Sequence, residues 1–299
     1  MPRRYLLAAL LLFGGCAASP PHEQAESGGT MGALPAAPKI ALALGGGAAR
    51  GFAHIGVIKA LEAQGISPDI VVGTSAGSLV GSLYAAGIGG FELQRLGLAM
   101  DDGAVSDWSL PDRGVIKGEA LQNFVNESLQ YRTIERMTRT LAIVATDLQT
   151  GEPIVFRTGN TGIAVRASSS VPGLFQPVRI NGREYVDGGL VSPVPVRIAR
   201  SLGADFVIAV DISRRPQQGK TSSSLDVLLQ TFAIMGQSIA ANELPLADIV
   251  IRPNIDGIGG ADFQAKHVAV LEGERAVAAK LPELRAKLEL LRDKMRRKE

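Results

Sequence analysis

From residue 39 onward, short apolar runs alternate with segments of helical periodicity. Lys39 to Leu44 reads as a first strand and Asp69 to Val72 as a second. Gly51 to Gln64 and Ala76 to Ala86 bring apolar residues round every three or four positions, which predicts a helix after each strand. Leu141 to Thr146, Phe206 to Val210 and Ile249 to Ile251 are near-continuous apolar runs, the pattern of strands buried on both faces. Val178 to Val186 is interrupted by Asn181-Gly182, a strong signal for a hairpin. The order predicts an α/β fold: a mixed, mainly parallel central sheet covered by helices on both faces, with functional loops at the carboxyl ends of the strands.

Two further patterns bear on packing. The helix after the second strand is small on one face, with Ala76, Gly77, Gly81 and Ala85, so it can lie close against a sheet. At the C-terminal end, Leu281, Leu284, Leu288, Leu291 and Met295 alternate at three and four spacing, with Arg and Lys crowding the end. That amphipathic helix either packs on the domain or touches anionic lipid or a partner helix. Asp101 to Gly114 carries the only tryptophan, Trp108, beside Leu110, and reads as a lid or as a loop anchored to the core by the indole.

The first residues form a separate unit. Arg3 and Arg4, an apolar stretch from Tyr5 to Phe13, and Gly14-Gly15-Cys16 have the layout of an export signal too short to span a bilayer as a mature helix. Cys16 is the only cysteine, so no intrachain disulfide forms, and its setting resembles the lipid-attachment cysteine of bacterial lipoproteins. Phe13 stands where that pattern usually has leucine, and ordinary cleavage among Gly15 to Ser19 is the alternative. The expected organisation is a signal over 1–15, a flexible tether over 16–38 rich in Ala, Pro, Gly and Ser, and one domain over 39–299. With Ala17 in place of an inner-membrane sorting aspartate, the expected location is the bacterial cell envelope, lipid-anchored at the outer membrane and facing the periplasm.

At 299 residues and 46% hydrophobic content, the chain can bury one substantial core. It carries 31 basic and 29 acidic residues, and removal of the signal takes two arginines, leaving a formally neutral chain. Charge therefore offers no support for a nucleic-acid partner. The oligomeric state is not legible.

The chemistry concentrates in two glycine-rich segments 28 residues apart. Gly73-Thr74-Ser75-Ala76-Gly77 has the spacing of a nucleophile elbow, in which a serine occupies a cramped strand-to-helix corner. Gly45-Gly46-Gly47-Ala48-Ala49-Arg50-Gly51 fails the dinucleotide pattern, because Arg50 stands where the last glycine belongs. It also fails the nucleotide P-loop, because Phe52-Ala53 follows Gly51. What remains is a set of backbone N–H groups at a helix start, suited to a negative oxygen. In an acyl hydrolase such donors stabilise a tetrahedral oxyanion by roughly 3 kcal/mol each.

A serine nucleophile needs a base. His22 lies in the tether, and His54 falls on the first helix, as a core residue with one bonded nitrogen or as a base. The order Ser75, Asp187, His267 matches the triad order of α/β-hydrolases, although His267 opens a charged helical stretch and Ser75 follows only the second strand. Asp187-Gly188-Gly189, directly after the hairpin, offers a carboxylate whose glycines let the backbone approach the serine loop.

Together with Ser170-Val171-Pro172-Gly173-Leu174-Phe175 and Pro177, these motifs resemble those of the patatin-like phospholipase family over about Lys39 to Asp211. The resemblance implies a three-layer α/β/α fold and hydrolysis of acyl esters of phospholipids or lysophospholipids through a Ser-Asp dyad, with no metal or cofactor. It implies Ser75 as nucleophile, Asp187 as base and Gly45, Gly46 and Gly47 as the oxyanion loop, supported by Arg50, Gly51, Gly73, Gly77, Gly188 and Gly189. An aspartate near its usual pKa of about 3.9 is a weak base for an alcohol, so partial desolvation of Asp187 is expected. A small-ester carboxylesterase or acyltransferase with the same dyad, and a silent lipid-binding envelope lipoprotein, are the alternative readings.

Overall fold

The computed structural model describes residues 37–100, 116–218, 221–260 and 262–297. The signal, Cys16, all but the end of the tether and the Trp108 segment lie outside these residues.

Eight strands form one sheet, beginning with β1 (Ile40–Leu44), β2 (Ile70–Thr74) and β3 (Thr140–Asp147). β4 (Pro153–Phe156) follows, then the hairpin of β5 (Val178–Ile180) and β6 (Arg183–Asp187), then β7 (Phe206–Val210) and β8 (Ile249–Ile251). The lanes β3-β2-β1-β7-β8 are parallel throughout, while β4 and β6 run antiparallel to β3 and β5 antiparallel to β6. This is the α/β sheet that the sequence predicts, with an antiparallel margin supplied by the hairpin and by β4.

Side-chain alternation along the strands makes the two faces unequal. In β1, Ile40, Leu42 and Leu44 join the larger core, and Ala41 and Ala43 the smaller one. The larger core is covered by α1 (Phe52–Ala63), α2 (Ala76–Ala85), α3 (Gly90–Ala99), α4 (Glu119–Ser128), α5 (Thr161–Ser168) and α8 (Lys266–Arg296). Small strand residues on the other face admit α6 (Val196–Ser201) and the end of α7 (Ser224–Glu243).

α8 crosses α1 at close range, and a Cβ on Gly56 or Gly273 would overlap the facing backbone carbonyl of Val270 or Ala53. Further along α8, Leu284 and Leu288 are buried, and Leu281 and Leu291 pack against the same core. From Leu281 to Leu291 the C-terminal apolar stripe is thus occupied by its own domain.

Candidate active site

Ser75 sits in the corner between β2 and α2 with φ 54° and ψ −123°, a conformation that costs a residue with a Cβ on the order of 1–3 kcal/mol. Its surroundings hold it there. The Ser75 N–H donates to Ser168 Oγ at 2.8 Å, Ser168 Oγ donates to Val144 O at 2.5 Å, and Ser78 Oγ donates to Ser75 O at 2.6 Å. Gly73 and Gly77 make the corner possible, because a Cβ on Gly73 would overlap the start of α2 and one on Gly77 would overlap Leu44 O. Ser168 was not among the residues singled out from the sequence. It lies in the run Ser168-Ser169-Ser170, where no local pattern distinguishes one hydroxyl from the next.

The sheet register brings Asp187 to the same place. β4 occupies one edge of β3 from Ile143 to Thr146. On the other edge β2 pairs up to Val144, and from Ala145 onward β6 takes over in the opposite direction. The two strands therefore meet head to head in one lane, with Thr74 opposite Val144 and Asp187 opposite Ala145. Gly188 completes the junction, because a Cβ there would overlap Val144 O and lie 3.2 Å from Thr74 Cγ2.

Asp187 is held by its backbone, with its N–H donating to Ser170 O at 2.9 Å and its carbonyl accepting from Thr146 Oγ1 at 2.8 Å. Oδ1 accepts from the Gly189 N–H at 2.7 Å. Oδ2 is buried and accepts no well-aligned hydrogen bond. Burial pushes the carboxyl up to about 6, while the adjacent Ser75 hydroxyl and the Gly189 N–H pull it partly back.

The glycine loop is braced peptide by peptide. Gly45 N–H donates to Val210 O and Gly46 N–H to Pro193 O, both at 3.0 Å. His54 Nε2 donates to Gly45 O at 2.8 Å, so the 45–46 peptide is held from both sides. Gly47 O accepts from the Arg50 N–H at 3.2 Å and from Arg50 Nε at 3.1 Å, which fixes the 47–48 peptide. Between them lies the 46–47 peptide, whose Gly47 N–H has no acceptor among the described residues. A Cβ on Gly46 would stand 3.1 Å from Ser75 Cβ, so this stretch runs directly past the serine. The expectation that all three glycines donate is narrowed: the Gly45 and Gly46 N–H groups are committed to the scaffold, and Gly47 carries the free one.

Arg50 and His54 hold the peptides on either side of this N–H. Arg50 is buried, and burial, with Arg214 nearby, lowers it to about 10, so it stays cationic at neutral pH while gripping Gly47. His54 is fully buried, with a carbonyl as its Nε2 partner. That partner requires the proton on Nε2 and leaves Nδ1 bare and unpartnered. Burial lowers its pKa to about 4, so the imidazole is neutral at physiological pH. His267 stands exposed in the first turn of α8. Gly51 lets α1 start against α2, since a Cβ there would lie 2.8 Å from Ala76 Cβ.

A family model described as Patatin-like phospholipase matches residues 42–200. An uncharacterized NTE family protein of Mycobacterium bovis is 36% identical over 183 residues, 59% of this chain and 49% of that protein. Patatin-like phospholipase domain-containing protein 6 of Mus musculus is 34% identical over 186 residues, 60% of this chain and 14% of that protein. The chain thus spans about half the length of the mycobacterial relative. The crystal structure of VipD from Legionella pneumophila shares the fold with a TM-score of 0.58 at 14% identity, over 83% of this chain and 67% of VipD. Matched over more than half its length, through both the glycine loop and the serine elbow, this chain belongs to the patatin-like phospholipase family.

Proposed function

We propose that this chain is a serine acyl hydrolase acting on acyl esters of phospholipids or lysophospholipids, with Ser75 as nucleophile and Asp187 as general base. The head-to-head junction of β2 and β6 carries the reading, because it sets a desolvated carboxylate beside a serine held on a strained corner. In the first half-reaction Asp187 Oδ2 takes the Ser75 proton as Oγ attacks the ester carbonyl, and the oxyanion receives the Gly47 N–H. Collapse breaks the ester C–O bond, and the leaving alkoxide takes the proton from Asp187. Water then attacks the acyl-enzyme, giving a proton to Asp187; collapse breaks the Ser75 Oγ–acyl bond, Oγ takes that proton back, and the fatty acid leaves. His54 and Arg50 contribute by holding the peptides on either side of the donor.

The pH profile tests the base. A carboxylate must be ionised to act, so kcat/KM is expected to fall about tenfold per pH unit below about 6 and to level off above it. His54, at about 4, does not titrate in this range. Asp187→Asn should lower activity by roughly 10³-fold or more and abolish the limb near pH 6. A limb that survives in Asp187→Asn and vanishes in His267→Ala would replace the dyad by a triad. The same shift carries a stability cost: the favourable contribution of protonated Asp187 is complete below about pH 4 and lost as pH rises through 6.

The proposal extends to location, with Cys16 lipidated and the domain tethered at the bacterial envelope. The Cys16→Ser chain should leave the membrane fraction while keeping its turnover of soluble esters, since attached acyl chains contribute about 0.8 kcal/mol per buried CH₂. Persistence of that variant in the membrane pellet would remove the acyl anchor from the proposal.

A further inference from the structure

The large apolar side chains that stand out to solvent are unevenly distributed. Among the described residues, Leu225, Val227, Leu228, Ile234 and Met235, all in the first part of α7, are between 36% and 51% exposed. At about 100° per residue they cover one half of the helix circumference. Asp226 is the only charged residue before Glu243 on this helix, and its carboxylate is engaged at the N-cap by Ser222 Oγ at 2.8 Å and the Ser223 N–H at 3.1 Å.

The far end of the same helix is tied to the active-site loops. Ala240 is buried, and Glu243 Oε2 accepts from Ser192 Oγ at 2.8 Å. Ser192 in turn donates its N–H to Gly188 O at 2.9 Å and accepts Thr74 Oγ1 at 2.8 Å on its carbonyl. Thr74 precedes the nucleophile and Gly188 follows the base. Near the start of the helix, Leu228 Cδ2 lies 2.8 Å from where a Cβ on Gly173 would stand, in the loop whose Ser170 carbonyl holds Asp187.

We propose that the exposed half of α7 seats the domain on a phospholipid bilayer, directly beside the active site; the purpose of this contact rests on the acyl-hydrolase reading. The area favours lipid over a second copy of the chain. Five half-exposed side chains offer on the order of 400 Å², about half the roughly 800 Å² per partner of a stable protein interface. A bilayer sets no such threshold and asks for no matching hydrogen bonds, which suits an arc without charge. No helix among the described residues is long and apolar enough to cross a membrane, so the contact lies in the plane of the interface.

The test uses the full chain carrying Cys16→Ser in every arm, so that no acyl anchor contributes, sedimented with dioleoylphosphatidylcholine vesicles. Ile234→Glu with Met235→Glu should lower vesicle partition roughly tenfold or more, and vesicle phospholipid hydrolysis with it, while p-nitrophenyl butyrate hydrolysis is unchanged. Ile234→Trp, which adds apolar area, should raise partition. This second variant decides the matter if the double variant fails to fold. Partition that ignores both changes overturns the proposal, as does a dimer in light scattering that the charged variant dissociates without altering vesicle binding. If the parent chain hydrolyses no ester yet binds vesicles through α7, the hydrolase reading fails and the lipid seat stands.

Discussion

Ser75→Ala is expected to abolish acyl-ester hydrolysis, with a loss of roughly 10⁴–10⁶-fold, while the protein folds as before. The substitution removes the atom proposed to attack and little else. The bonds that hold the corner run through the backbone of residue 75: its N–H to Ser168 Oγ and its carbonyl to Ser78 Oγ. Both survive in alanine, so the melting temperature should move by no more than a few degrees. The change also has a signature at the base. The Ser75 hydroxyl is one of the groups that lower the Asp187 pKa, so its removal should raise that pKa further above about 6, as followed by carboxyl NMR titration. Hydrolysis within tenfold of the parent would take Ser75 out of the reaction.

The second large effect concerns the scaffold. Gly77→Ala should destabilise the domain by about 3 kcal/mol or more, because the new methyl group would overlap Leu44 O and approach Gly45 O to 2.8 Å. Both are backbone atoms of β1 and the glycine loop, and neither can move without shifting the hydrogen bond from Gly45 N–H to Val210 O. Gly236 in α7 is the matched control: a Cβ there meets nothing within 4 Å, so Gly236→Ala should stabilise the helix by about 1 kcal/mol. Chemical denaturation midpoints distinguish the two. An unchanged midpoint for Gly77→Ala would mean that α2 does not approach β1 this closely.

The parts of this fold that sequence made legible are those whose signal is local. β1, β2, β7 and β8 are short apolar runs between turn residues, and each appears within one or two positions of its predicted bounds. The β5–β6 hairpin follows from Asn181-Gly182, where both residues adopt positive φ. β4 was missed, as four residues opening on a proline carry almost no strand pattern. α7 falls among the helical segments expected between the apolar runs, but its bounds are not legible, because apolar residues occupy half its circumference on the exposed side and blur the contrast between inside and outside.

At the site, residue types could be read and directions could not. A glycine run says that backbone can come close, but which N–H stays free of the scaffold depends on partners far along the chain, Val210 and Pro193 for the first two glycines. Ser168 shows the same limit, since its role depends on bridging Ser75 and Val144. His54 was nearer to legible. A histidine on a buried helix face needs a partner for one nitrogen, and the carbonyl of Gly45 supplies it.

The lane that β2 and β6 share beside β3 has a consequence for biosynthesis. The ribosome delivers the serine early and the aspartate only after β3, β4 and β5, and the carboxylate reaches its place by closing the far end of a gap that the serine's own strand leaves open. No partly translated chain ending before β6 owns both groups, and no chain with an unfilled β3 edge sets them side by side. On the proposed hydrolase reading, ester turnover therefore reports that β6 has closed this gap, and a nascent or truncated polypeptide that ends before Asp187 lacks the base.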